Sequence, residues 1–173
     1  MSKRPAIPTI DEVADVTCTM LRQCHNLEPM LHVCRPDRDE LVLLADLPDT
    51  ADGREAAAAA VGATVGASGP IRAVYLILEA WAVDKTPEEY ARGDYVRPSH
   101  DPARRDILLI YGWYSDGRPI ERREFAVAKA GDKVTGLTEE RAARTSREAH
   151  NTLLDGFVAG YQAARAAKPA REN

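Results

Sequence analysis

The sequence predicts a single α+β domain: a five-stranded antiparallel sheet with helices on its faces, in the order α-β-β-α-β-β-β-α. Three observations carry that prediction. Apolar residues recur at helical spacing near both ends of the chain, at Ile10, Val13, Thr17, Met20 and Cys24 and again at Leu153, Leu154, Phe157, Val158 and Tyr161. Between them, Ile71–Val83, Ile107–Tyr114 and Ile120–Ala130 read as strands, the last two joined by an Asp116-Gly117 turn. A length of 173 residues suits one domain with a core that needs no covalent staples.

Each element has a local reason. Residues 1–9 contain Pro5 and Pro8 and read as a flexible arm. A helix over about 10–26 follows, with Thr9 as cap, Glu12 completing a capping box, and Asp11 and Glu12 favoured by the dipole in the first turn. Met30–Cys34 and Glu40–Ala45 are short apolar runs around Arg-Pro-Asp-Arg-Asp, and predict a hairpin. Residues 51–67 are mostly Ala, Gly and Val, which predicts a helix able to approach a sheet closely. Gly62 and Gly66 weaken it by about 1 kcal/mol each relative to Ala, and Gly69-Pro70 ends it.

In Ile71–Val83 both alternating faces are largely apolar, so this strand belongs in the middle of the sheet. The polar stretch Asp84–Asp106 leaves it. Within that stretch, Thr86-Pro87-Glu88-Glu89 predicts a helix of one or two turns to about Arg92, stopped by Gly93. Thr138 is the expected cap of a long terminal helix reaching about Ala167, with Glu139–Glu148 as a charged first half and 168–173 as a flexible tail. The order of elements is similar to that of roadblock and other profilin-like domains, a resemblance of topology that carries no function.

Bulk composition excludes several classes. A formal charge of −4 disfavours a general nucleic-acid surface. No apolar run approaches the roughly 20 residues needed to span a bilayer, and the N-terminus lacks the apolar centre of a signal peptide. Three cysteines, an odd number, fit a reducing compartment, so the expectation is a cytoplasmic protein without disulfides. Nucleotide loops, HExxH, GxSxG and calcium-loop patterns are all missing.

The long loop is the expected functional element, because structureless stretches of this length inside a domain are usually binding loops or lids. Its candidates are His100 as a general base beside Asp101, and Arg104 and Arg105 as a clamp for an anionic group. Tyr95 and Trp81 would supply ligand-binding walls. The competing reading is a solvated loop whose arginines pair with Asp94, Asp101 or Asp106. Glu79, a charge in an apolar strand, is either a general acid at the mouth of the loop or one half of a salt bridge with Arg122 or Arg123. The salt bridge is the preferred reading. Glu79-Ala80-Trp81, followed by Ser99, Pro102, Arg104 or Arg105, and Asp106, resembles an uncharacterised bacterial and phage protein family over about residues 71–115. No activity attaches to that family.

Cys18, Cys24, His25, His32 and Cys34 form a Cys/His-rich region whose spacing matches no standard zinc ribbon or finger. Core packing is the preferred reading, and no metal or cofactor is expected. Gly156 and Gly160, one turn apart, predict close packing of the last helix on the sheet or on a second subunit. The functional expectation is a non-catalytic protein acting through self-association or a protein partner. An enzyme or anion binder at the 84–106 loop is the alternative.

Overall fold

The computed structural model describes residues 6–83, 86–92, 100–140 and 151–167. The arm over 1–5, the tail, residues 141–150 of the expected terminal helix, and loop residues 84–85 and 93–99, including Tyr95 and Ser99, lie outside them. Helix α1 (Ile10–Cys24) starts at the expected capping box: Glu12 N–H donates to Thr9 Oγ1 at 3.2 Å and Thr9 N–H to Glu12 Oε2 at 2.7 Å. It ends at His25, which adopts the left-handed region with φ 64° and donates its N–H to the Leu21 carbonyl. The buried stripe is Ile10, Val13, Ala14, Thr17, Cys18 and Leu21. The expected stripe through Met20 and Cys24 is therefore corrected by a rotation of the helix, and Cys24 is exposed.

Strands β1 (Met30–Cys34) and β2 (Asp39–Leu43) form the expected hairpin. Helix α2 (Ala51–Ser68) is capped by Thr50, and Gly69 at φ 143° ends it. Strand β3 (Ala73–Ala82) is central, with Ala73, Val74, Tyr75 and Leu76 fully buried. Helix α3 (Pro87–Ala91) is the short helix expected inside the loop, and its capping box is formed by Thr86 and Glu89. Strands β4 (Arg105–Tyr114) and β5 (Glu121–Ala130) meet at the Asp-Gly turn, where Gly117 takes φ 82°.

The sheet has six strands, not five. Strand β6 (Lys133–Glu140) pairs with β5 across a tight Gly131-Asp132 turn, with Gly131 at φ 60°. Thr138 lies opposite Ala126 in that ladder and caps no helix. The last helix, α4 (Thr152–Ala166), is capped by Asn151, whose Oδ1 accepts from Leu153 N–H at 3.0 Å. The order of elements is thus α-β-β-α-β-β-β-β-α, with α3 as an added turn. All pairings are antiparallel, in the order β2-β1-β3-β4-β5-β6.

Alternation along the strands divides the core in two. One face packs Tyr75, Ile77, Leu108, Ile110 and Val127 against α1. The other packs Leu31, Val33, Val74, Leu76 and Leu109 against residues of α2 and α4, including Phe157 and Leu154. The alanine-rich helix does make a close approach, but to α4. A methyl group at Gly62 would overlap the Phe157 carbonyl, and one at Gly160 the Ala59 carbonyl. Gly66 against Tyr161 and Gly156 against Glu55 extend the contact, and its register advances in the same direction along both helices. The Gly156/Gly160 pair is therefore answered by Gly62/Gly66 within the same chain. None of the described helices is long and apolar enough to cross a membrane.

Candidate functional site

The residues expected to gather around the loop are distributed over two faces of the sheet. Trp81 stands opposite Asp106 on the α1 side, about half exposed, with the Arg104 guanidinium 4.8 Å from its ring centroid. Arg105, the next residue, opposes Ala82 and points to the other face. There it pairs with Glu140 at 2.7 Å and Glu124 at 3.7 Å. The two arginines expected to clamp one anion diverge. His100 is exposed, and Asp101 accepts from Ala103 N–H two residues on.

Glu79 forms the expected salt bridge with an unexpected partner. Its Oε1 lies 3.1 Å from Lys129 Nζ, and its Oε2 accepts from Leu27 N–H at 2.8 Å. Arg122 instead pairs with Glu124, and Arg123 with Asp11 and Glu139. The strand register explains the exchange. Glu79 opposes Leu108, and Leu108 opposes Phe125, so Arg123 stands two positions further along the sheet. Beside Glu79 is a recess of about 230 Å³ lined by Asn26, Leu27, Trp81, Asp106 and Lys129. Two carboxylates face one ammonium there, a balance that disfavours an anionic ligand.

A second region has a simpler surface logic. Strand β2 is one edge of the sheet. Arg38 C=O accepts from Arg35 N–H, and Leu44 N–H donates to Pro29 C=O, so even-numbered residues turn their backbone toward β1. By antiparallel alternation the N–H and C=O groups of Asp39, Leu41 and Leu43 face outward. Leu41 and Leu43 are also about 60% exposed, at 62% and 60%.

A groove lies on each side of this edge. On the α1 side, a volume of about 360 Å³ is lined by Val13, Val16, Met20, Met30, Leu41 and Ile77, with Val16 exposed. On the α2 side, about 450 Å³ is lined by Val42, Ala60, Val61, Thr64 and Val65. The opposite edge, β6, differs in kind. It carries Lys133, Glu139 and Glu140, and its pairing with β5 is interrupted by a bulge. Charges and bulges are what natural sheets use to block edge-to-edge pairing; β2 opens on two charges, Asp39 and Glu40, but runs on without a bulge through Leu41-Val42-Leu43. The sequence does show that apolar run, but it does not show that the run lies at an edge, because strand order depends on long-range pairing.

Comparison of the chain with protein-family models, with curated proteins and with solved structures returned no match.

Proposed function

We propose that this is a non-catalytic protein that works by self-association, with β2 of a second copy adding as an antiparallel strand to β2 of the first. The observation that carries the reading is the outward backbone of Asp39, Leu41 and Leu43 with an apolar groove on either side. An added strand projects side chains alternately to the two faces, so one set enters each groove. A two-fold axis through Leu41 satisfies both copies at once, since such an interface must be self-complementary. It places Leu41 against its own counterpart and Leu43 against Asp39 of the second chain. Val42 turns to the α2 side.

Backbone hydrogen bonds along the strand would give the pairing its affinity, and burial of Leu41, Leu43, Val16 and Met20 would drive it. Amide exchange tests it. The amides of Leu41 and Leu43 gain protection as protein concentration rises, while those of β6 do not change. Equal, concentration-independent exchange at Leu41 and Leu43 contradicts the reading.

A further inference from the structure

The hairpin that forms the β2 edge also brings together three side chains of metal-ligating type. His32 and Cys34 are two apart on β1 and so share a face, and Asp39 stands directly opposite Cys34 in the ladder. His32 Nε2 lies 3.1 Å from Asp39 Oδ2 and 3.8 Å from Cys34 Sγ, and the three ligand atoms lie within 4.8 Å of one another. Among the described residues this is a convergence of a nitrogen, a thiol and a carboxylate on two rigid, paired strands.

The geometry is wrong for a nucleophilic relay. In a Cys-His-Asp relay the imidazole uses one nitrogen for the thiol and the other for the carboxylate. Here Nε2 faces both. The thiol is also held in its protonated form: burial, followed by the charge of Asp39, pushes the Cys34 pKa up to about 12. An activated nucleophile needs the opposite shift.

The same geometry suits a cation. With metal–ligand bonds of about 2.0–2.3 Å, the ligand atoms of a tetrahedral zinc centre lie roughly 3.3–3.6 Å apart. The N···O and S···N spacings straddle that range, and a shift of about 1 Å by the Asp39 carboxylate completes the set. That carboxylate is 44% exposed and free to adjust, whereas Cys34 is buried and fixed.

We propose that His32, Cys34 and Asp39 bind a zinc-class divalent cation, with the fourth position open to the groove beside α1. A nitrogen, sulfur and oxygen donor set selects a borderline-soft ion over magnesium or calcium. Binding displaces the Cys34 thiol proton to solvent, and the thiolate, the His32 Nε2 and the Asp39 carboxylate hold the ion. His32 and Asp39 both line the groove, which gives the ion its entry path and a water its place.

The test is cobalt(II) added to the full chain after chelator treatment. A single ion should bind, giving a thiolate-to-cobalt charge-transfer band in the near ultraviolet and the strong visible bands of four-coordinate cobalt. Cys34→Ser should abolish the charge-transfer band. Asp39→Asn and His32→Gln should weaken binding by more than the roughly 10–100-fold typical of lost outer-shell partners. Cys24→Ser, at an exposed position outside the cluster, should leave the spectrum unchanged. Zinc should raise the melting temperature of the wild type and of Cys24→Ser but not of Asp39→Asn. Circular dichroism checks that each variant is folded, and Asp39→Asn, at an exposed position, carries the test if Cys34→Ser does not fold. A weak six-coordinate spectrum without a thiolate band overturns the proposal, as does a thiolate band that survives Cys34→Ser or disappears with Cys24→Ser.

Discussion

At the scale of single residues, helix caps close on neighbours three residues away, while the partly buried carboxylate of Glu79 is held from across the sheet by Lys129 and from the α1–β1 connection by the Leu27 amide. Thr9 with Glu12 and Thr86 with Glu89 form the capping boxes their spacing predicts, because a cap needs only neighbours three residues away. Glu79 needed a partner and has one, but Lys129 and the Leu27 amide are set by a register no local pattern reveals. Glu79→Ala leaves that amide without its acceptor and the ammonium unpaired, and should cost about 2–3 kcal/mol in chemical denaturation. Glu79→Gln keeps an acceptor for Leu27 and should cost roughly half as much.

Tyr75 and Tyr114 give the protein an alkaline limit. Burial raises the Tyr75 pKa to about 12, and burial together with the hydrogen bond donated to Glu121 raises that of Tyr114 further. The unfolded chain therefore loses phenolic protons first, starting near pH 10, where the folded chain still holds them. Stability from these groups is complete below about pH 10 and falls as pH rises toward 12. Tyr75→Phe should flatten that decline. It should also cost about 1 kcal/mol at neutral pH, by removing the hydroxyl that donates to the Pro8 carbonyl.

At the scale of elements, nine of the segments could be placed from pattern and one could not. Strand β6 carries Val134, Thr135 and Thr138, but a bulge breaks its period-two alternation, so Val134 and Leu137 reach the same core at a spacing of three. The charged residues after Thr138 look like a helix start, and that pattern hid the Gly131-Asp132 turn, itself a hairpin signal. Helix packing was partly legible. The spacing of Gly156 and Gly160 predicts close packing of α4; that α2 is the partner, with Gly62 against Phe157 and Gly66 against Tyr161, is a fact of tertiary structure. Gly160→Leu must push α4 off the Ala59 carbonyl and should cost about 3 kcal/mol or more, whereas Gly136→Ala, whose methyl would meet Ala128 at an ordinary 3.6 Å, should change stability by less than about 1 kcal/mol. Thermal unfolding followed by circular dichroism separates the two.

At the scale of the whole molecule, the apolar doubling of Ile71–Val83 correctly placed β3 in the middle of an antiparallel sheet. Which strands form the edges was not legible, since that depends on β1 choosing β3 as its second neighbour. Once the order is known, the two edges contrast: β6 is bulged, while β2 pairs without a bulge and exposes Leu41 and Leu43 between two grooves. The long polar loop ends in two arginines that go to opposite faces of the sheet. The β1–β2 hairpin carries both the proposed pairing surface, on β2, and the cluster of Asp39 with His32 and Cys34, two residues of the Cys/His-rich stretch.

Light scattering coupled to size-exclusion chromatography, run on the wild type and on Leu41→Lys, tests the central claim most directly. A charge at that outward position is the device other sheet edges use against pairing. The wild type should elute with the mass of two chains and Leu41→Lys with the mass of one, both equally folded. A wild type that stays monomeric at every concentration, or a variant that still dimerises, would contradict the account.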